Sequence, residues 1–204
     1  MCIRDRTGRA FGGIAVFYDK DLISLSKIPL NILRNNRELE ILAVKGRLRG
    51  IKREVLIFSC YFPPGQNKKQ FEGVMEILTD AISEARSKTD SPWIVVGADW
   101  NRYNTESLST MHPDLVKVTT GPTRKDAVLD YVFTNFPNEI TSKEVCFPLE
   151  SDASKSDHNI VPIDSLLSRP ATFSWETHEY LKVTKEGSDE FCNCLLYTSP
   201  SPRD

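Results

Sequence analysis

The sequence predicts an α+β domain in which helices pack on a sheet. Residues 54–62 are almost wholly apolar and end at two consecutive prolines, which is typical of a buried strand. Residues 68–88 carry apolar side chains three or four positions apart, which predicts an amphipathic helix capped by Asn67. An apolar run at residues 93–98 follows. A strand, a helix and a strand in this order favour helices laid on a sheet over an all-β protein.

Composition limits the class of protein. With 204 residues and 40% hydrophobic content, the chain is long enough for one well-cored domain and an appendage. The net charge of -2 means that no overall basic field attracts nucleic acid, although a local patch is enough for that. No apolar run has the length of a membrane span or the pattern of a signal peptide. Five cysteines without a paired spacing favour a reducing, intracellular compartment.

Both ends of the chain are interpreted as adapter-like artefacts. Residues 1–6 can be encoded by a DNA string whose reverse complement encodes residues 194–198 and opens the codon of Ser199. Two unrelated protein termini should not be related in this way, and the string resembles a sequencing-library adapter. Residues 1–6 and 194–204 are therefore left out of the expected fold. A longer parent protein is expected, of which this chain is a fragment.

Four further strands and one basic turn complete the expected core. The strands are predicted at residues 12–18, 39–44, 129–134 and 160–163. Residues 45–53 are rich in glycine and positive charge and are predicted to form a hairpin turn. A solvated hairpin tip and a contact with phosphate groups are both compatible with this cluster.

The segment between Asn101 and Thr120 is polar and irregular, as an active-site loop would be. His112 lies within it, before Pro113, and is predicted to be a surface loop residue.

Polar groups stand at the ends of several predicted strands. Asp99 and Asn101 are two apart, so both point to one face if the strand pairing continues. Asp130 lies inside an apolar strand, where an unpaired carboxylate would be costly. Asp157 and His158 precede the last strand. Taken singly, these residues also fit a turn after a strand, an edge residue and a structural histidine.

Together, these groups predict hydrolysis of a phosphate ester. Carboxylates and a carboxamide are hard oxygen ligands, which suit Mg²⁺ or Mn²⁺ and not zinc. A histidine beside an aspartate suits a general base with its orienting carboxylate. A metal that polarises a phosphoryl oxygen and a base that activates water are the two parts such a reaction needs.

Five short motifs occur in a particular order. They are Cys-Tyr-Phe-Pro-Pro at 60–64, Gly-Ala-Asp-Trp-Asn at 97–101, Gly-Pro-Thr-Arg at 121–124, Leu-Asp-Tyr-Val-Phe at 129–133 and Ser-Asp-His-Asn-Ile-Val at 156–161. In this order they resemble the endonuclease/exonuclease/phosphatase superfamily, and most of all the apurinic-type endonuclease domain of non-LTR (LINE-like) retrotransposon polyproteins. The resemblance covers residues 10–165. From residue 172 the chain resembles, more weakly, the linker toward a reverse transcriptase.

The resemblance implies a fold and a set of partners. The implied fold is a four-layer α/β/β/α sandwich of the DNase I type, truncated at its N-terminus. The domain would occupy residues 7–165, and residues 166–193 would lead to a covalently linked reverse transcriptase domain. The implied cofactor is Mg²⁺ or Mn²⁺, the implied substrate is DNA, no membrane is involved, and the expected location is the nucleus. The implied reaction nicks target DNA and exposes a 3′-hydroxyl that primes reverse transcription.

The resemblance also implies roles for individual residues. His158 would act as general base or hold the scissile phosphate, and Asp130 would orient it. Asp157 and Asp99 would bind the metal, with Asp99 also activating water or protonating the leaving oxygen. Asn101 would hold the phosphate.

Four further residues lie in the same motifs. Tyr61 would contact the phosphate, or it is simply an aromatic residue of its strand. Thr123 and Arg124 would contact substrate, or they shape the loop that contains them. Trp100 is assigned to packing only.

The chain departs from the family pattern in one respect. Family members carry an asparagine and a metal-binding glutamate on strands that precede the one matching residues 12–18, where adapter-like sequence stands here. We therefore expect weak activity or none from this chain, because Mg²⁺ demands near-ideal coordination. Two alternative functions are a non-catalytic nucleic-acid-binding relic and a superfamily phosphatase that acts on a small phosphoester.

Overall fold

The computed structural model describes residues 2–5, 14–36, 39–101, 103–142, 158 and 161–165. The chain divides into two compact units, Met1–Ser168 and Arg169–Asp204, and the second lies wholly outside the described residues. So do the predicted linker at 166–193 and the predicted artefact at 194–204, and the expected domain limits stay predictions. None of the helices in the described ranges combines the length and the apolar content that crossing a membrane requires.

The described residues form short elements around one large sheet. The three helices are α1 (Asn31–Asn35), α2 (Lys68–Ser87) and α3 (Glu106–Met111). The strands are β1 (Cys2–Asp5), β2 (Ile14–Phe17), β3 (Ile23–Lys27), β4 (Ile41–Leu48), β5 (Glu54–Tyr61), β6 (Trp93–Asp99), β7 (Val116–Lys117), β8 (Asp130–Thr134), β9 (Ile140–Ser142) and β10 (Ile163–Ser165).

The main sheet has six strands in the order β3-β4-β5-β6-β8-β7. Its central pair, β5 and β6, is parallel, and the other neighbours are antiparallel. A parallel pair needs a long crossover, which here is provided by α2. The mixed sheet with its few helices confirms the predicted α+β class.

Helix α2 begins and packs as its sequence predicts. The Asn67 side chain accepts a hydrogen bond from the backbone N–H of Gln70 at 2.9 Å, and the Gln70 side chain accepts one from the N–H of Asn67 at 3.0 Å. Of the predicted apolar stripe, Val74 is half-buried and the other members are buried, namely Phe71, Leu78, Ile82 and Ala85. These side chains share a core with one face of the sheet, to which Leu56, Phe58, Cys60, Ile94 and Val96 belong.

Two small two-stranded sheets cover the opposite face. Ile14 of the β1–β2 pair packs with Leu42 and Val44. Ile140 of the β9–β10 pair packs with Val55 and Trp93. Because neighbouring side chains of a strand alternate between faces, these contacts lie on the side away from α2. Helices, sheet and a second β layer are therefore present in the described ranges, as a DNase I-like sandwich requires.

The segment left out at the start of the chain does join the fold. Cys2–Asp5 pairs antiparallel with β2, with Cys2 opposite Phe17, and Ile3 packs beside the Ile14 cluster. Residues 2–5 are thus described as a strand that was not expected. An open strand edge offers backbone hydrogen bonds, which do not depend on the identity of the incoming side chains. The pairing therefore does not bear on where these residues come from.

Several short elements differ from the prediction. Strand β4 extends through Leu48, so residues 45–48, which were predicted as part of the basic turn, belong to the strand. The turn itself is confined to residues 49–53. The segment expected to be an irregular loop contains α3 and β7, and the last strand is shifted to Ile163–Ser165. Strands β3 and β9 and helix α1 were not predicted. Whether such short segments form a strand or a helix depends on their pairing and packing with the rest of the chain. The spacing of apolar residues within the segment does not determine it.

His112 is buried, which corrects its expected place on a surface loop. Only 7% of the residue is exposed, and its ring Nε2 lies 3.1 Å from the carbonyl oxygen of Thr79 in α2. Burial lowers the pKa of His112, and the hydrogen bond to Thr79 opposes this only partly. His112 is therefore a neutral core residue that joins α3 to α2.

Candidate active site

Three neighbouring strands place polar side chains in one row. Tyr61 at the end of β5 is the register partner of Asp99 at the end of β6, and Asp99 is the partner of Asp130 at the start of β8. Register partners project from the same face of a sheet, which here is the face away from α2. Two carboxylates directly opposite one another repel, so this pair lowers stability unless a proton or a cation offsets the charge.

His158 completes the cluster. Its ring Nδ1 lies 2.9 Å from Oδ2 of Asp130, and the two side chains are 24% and 23% exposed. An ionised carboxylate can only accept, so Nδ1–H donates to Asp130. Potential ligand atoms of Asp99, Asp130 and His158 all lie within 4.8 Å of one another. The structure thus brings together three of the residues that the motifs singled out.

The electrostatics of Asp99 reflect this crowding. Partial burial raises the pKa of Asp99, and the charge of Asp130 raises it further. A hydrogen bond from the backbone N–H of Asn101 to Asp99 Oδ1, 2.9 Å long, lowers the pKa, as do the charges of His158 and Arg124. The net effect is an increase, so this carboxyl holds its proton more readily than a free aspartate.

Asn101 has a structural role in the turn after β6. Its φ of 51° lies in the left-handed region, which asparagine tolerates better than most residues. Its amide Nδ2 donates a 2.8 Å hydrogen bond to the carbonyl oxygen of Phe62. The Asp-x-Asn segment is therefore both a turn and part of the polar cluster, because the turn sets the positions of Asp99 and Asn101.

Trp100 and Tyr103 fix the surroundings of the site. Trp100 is fully buried and stacks on Phe62 with the ring centroids 4.7 Å apart, which agrees with the packing role assigned to it. The Tyr103 hydroxyl donates to the carbonyl oxygen of Pro63 at 2.8 Å and accepts from the N–H of Gln66 at 2.7 Å. Tyr103 thereby holds the loop after β5 beside the site. It carries no sequence signal beyond its proximity to Asn101.

Thr123 and Arg124 lie in the turn before β8. Thr123 is fully buried, and its Oγ1 accepts hydrogen bonds from the N–H groups of Leu129 at 2.9 Å and Asp130 at 3.0 Å. Of its two expected roles, this geometry favours shaping the loop over touching substrate. Arg124 is half-buried and exchanges two 2.9 Å backbone hydrogen bonds with Ala127.

Two openings adjoin the cluster. A cleft of about 770 Å³ has Asn101, Tyr103, Arg124 and Lys125 in its lining. A smaller opening of about 290 Å³ is lined in part by Asp99 and Asp130. The site is therefore reachable from solvent on the face of the sheet that carries the carboxylates.

Tyr61 is accessible at the end of the row, with 37% of the residue exposed. Its partial burial, followed by the charges of Asp99 and Glu40, raises the pKa of the Tyr61 phenol. The phenol therefore remains a hydrogen-bond donor at neutral pH. Asp157, the other expected metal ligand, lies outside the described residues.

Comparisons with known proteins bear on the fold. No family model matches the sequence, and no curated protein matches it. The structure is similar to the endonuclease domain of TRAS1, a telomere-specific non-LTR retrotransposon, with a TM-score of 0.58 and 20% identity over 83% of this chain and 81% of that one.

Two other solved structures give a similar result. An endonuclease/exonuclease/phosphatase family protein from Bacteroides thetaiotaomicron matches with a TM-score of 0.51 and 12% identity, over 80% of this chain and 74% of that one. D. rerio TDP2 complexed with single-strand DNA product matches with a TM-score of 0.52 and 11% identity, over 81% of this chain and 77% of that one. The likeness that the five motifs led us to expect is thus confirmed at the level of structure: the chain has the fold of the endonuclease/exonuclease/phosphatase proteins.

Proposed function

We propose that the cluster of Asp99, Asp130 and His158 hydrolyses phosphodiester bonds in DNA with the help of a divalent metal ion. The observation that carries the proposal is the opposed pair of carboxylates with an imidazole held 2.9 Å from one of them. A like-charged pair that lowers stability is typical of a functional site, where a ligand supplies the missing charge.

The donor set fits Mg²⁺ or Mn²⁺. Carboxylate oxygens of Asp99 and Asp130 and a ring nitrogen of His158 lie within 4.8 Å of one another, and both cations favour oxygen-rich sites. Because Asp130 is engaged by His158, we assign the metal to Asp99 and to Asp157, the neighbour of His158 in sequence. A bound ion would polarise a phosphoryl oxygen and offset the charge that develops on it.

Different side chains would transfer the proton of the attacking water and bind the phosphate. Asp130 accepts from Nδ1–H of His158, which directs Nε2 to take a proton from the attacking water. The Tyr61 phenol, kept protonated by its raised pKa, donates a hydrogen bond to a phosphate oxygen. Asn101 donates one amide N–H to the Phe62 carbonyl, so its second N–H can hold the phosphate.

DNA is the proposed substrate because the cluster adjoins an open cleft with positive side chains. Arg124 and Lys125 line that cleft together with Asp126, and the two cations would contact phosphate groups. Two of the similar structures are named as an endonuclease domain and as a complex with DNA. We further propose that the nick exposes a 3′-hydroxyl for a covalently linked reverse transcriptase, which would place the parent protein in the nucleus.

A nicking assay tests this function. We expect slow conversion of supercoiled plasmid to open circles with Mg²⁺ or Mn²⁺, none with EDTA, and no hydrolysis of p-nitrophenyl phosphate. Asp130→Asn should reduce the nicking rate by about 10²- to 10⁴-fold, because His158 loses its ionised partner. The control is Asp80→Asn, the same change at an exposed position of α2, which should leave the rate unchanged.

Two results would contradict the proposal. Hydrolysis of the small ester without nicking would favour the phosphatase alternative. Binding of plasmid without nicking, in every divalent ion tried, would favour the non-catalytic relic.

A further inference from the structure

Two turns are joined side by side at the end of the main sheet that lies opposite the carboxylates. One is the turn at residues 19–22 before β3, and the other is the turn at 49–53 between β4 and β5. The backbone N–H of Arg49 donates to the carbonyl oxygen of Leu22 at 2.9 Å, and the N–H of Ile23 donates to that of Asp19 at 3.0 Å. These bonds hold the two turns in one arrangement.

A cleft of about 670 Å³ lies between the two turns. Half-buried apolar residues line it, namely Leu22, Ile23, Leu48 and Ile51. Four exposed cations also line it, namely Lys20, Arg47, Arg49 and Lys52, against the single carboxylate of Asp21. The local charge is thus strongly positive in a chain whose net charge is -2.

Of these four cations, only Arg47 forms an ion pair within the described ranges. Arg47 forms a 3.5 Å ion pair with Glu54, and its side chain is still 59% exposed. No ion pair joins Lys20, Arg49 or Lys52 to another residue of the described ranges. A concave surface lined by one sign of charge raises the local concentration of an oppositely charged ligand.

The cleft is separate from the proposed active site. Strand β5 runs from Glu54, beside the cleft, to Tyr61, in the row of the carboxylates. Seven steps along a strand correspond to roughly 23 Å. A phosphate group held at the Tyr61 end is therefore out of reach of the side chains that line the cleft.

We infer that this cleft binds the phosphate backbone of a nucleic acid strand, as a second contact that plays no part in bond cleavage. Arginine forks match phosphate groups in pairs of hydrogen bonds, and the apolar lining suits the sugar and base surfaces between phosphates. An acidic peptide would meet the same charges, and the choice of nucleic acid rests on the proposed function.

Fluorescence anisotropy with a labelled 12-nucleotide single strand in EDTA tests the inference on the full chain. Arg49→Glu/Lys52→Glu should weaken binding about tenfold and reduce the slope of log K against log[salt] by about 1.4, since each phosphate contact contributes about 0.7. The matched control is Lys68→Glu/Lys69→Glu, which makes the same charge change at exposed positions of α2. It should change the affinity less than twofold.

Three outcomes would overturn the inference. Equal effects of the two double variants would mean that the cleft is only a solvated hairpin tip. Competition by poly-glutamate as strong as that by DNA of equal charge would point to an acidic peptide. A nicking rate at saturating DNA that falls in Arg49→Glu/Lys52→Glu would show that the cleft is not independent of cleavage. Because the EDTA assay needs no turnover, an absence of nicking leaves the binding result interpretable.

Discussion

Asp99 illustrates how the surroundings of one side chain shape the site. Its pKa is raised by burial and by the like charge of its strand partner, Asp130. A carboxyl whose pKa is raised in the folded state binds protons more readily there than in the unfolded chain. Its contribution to stability therefore falls as the pH rises from the ordinary aspartate pKa to the raised pKa of the folded state. A cation bound at Asp99 would reverse that loss, which links metal binding to stability.

His112 gives the fold a predictable response to acid. Its pKa is lowered by burial, so the unfolded chain binds a proton at this residue more readily than the folded one. The free energy of unfolding should therefore fall as the pH drops below about 6.5, the usual histidine value. Urea unfolding at pH 7.5 and 5.0 measures this for the wild type and for His112→Gln, whose amide can still donate to Thr79.

The glutamine variant should lose stability by a smaller amount between the two pH values. An identical loss in both proteins would mean that other groups cause the acid response.

At the scale of the elements, the turn at 121–124 positions the first residue of β8. Thr123→Val keeps the shape of the side chain and removes the acceptor of two backbone N–H groups, those of Leu129 and Asp130. Leaving buried donors unpaired costs about 1–3 kcal/mol each in the free energy of unfolding. Urea denaturation should show a loss of that order, and the nicking rate should fall because Asp130 shifts.

Thr110→Val is the matched control for this element. The Thr110 hydroxyl is exposed and donates to a carbonyl oxygen within α3, so its loss should change stability by less than about 0.5 kcal/mol. Equal losses in the two variants would contradict the positioning role of Thr123.

The elements that could be predicted from sequence are those with their own periodic signal. Helix α2 repeats its apolar residues over about four turns, and β5 and β6 are continuous apolar runs. Each of these elements could therefore be located to within one or two residues. Strand β7 has two residues and β9 has three, and pairing with neighbouring strands decides such elements. His112 was misplaced for the same reason, because the packing of α3 on α2 leaves no local pattern.

The candidate site divides in a similar way. Asp99 and Asp130 could be predicted because polar residues end or interrupt apolar strands there, and His158 because it follows an aspartate just before a predicted strand. Their mutual distances follow from the register of β6 and β8, which no local pattern specifies. Tyr103 acts through its contacts with Pro63 and Gln66, which are far from it in sequence, so it could not be found in advance.

Within the described residues, the main sheet carries a different surface at each end. The carboxylates and His158 lie at the Tyr61 end of β5, and the basic cleft lies at the Glu54 end. Strands packed on both faces change little in shape, so the two surfaces keep a constant separation. Such an arrangement allows a nucleic acid to be held at one end without obstructing the other.

The central claim is that a divalent metal ion binds at Asp99, beside the Asp130–His158 pair, and Mn²⁺ titration followed by NMR tests it most directly. We predict selective paramagnetic broadening of the amide signals of these three residues, lost in Asp99→Asn and retained in Asp80→Asn. Broadening spread equally over exposed carboxylates such as Asp80 and Glu106, or unchanged in Asp99→Asn, would contradict the account.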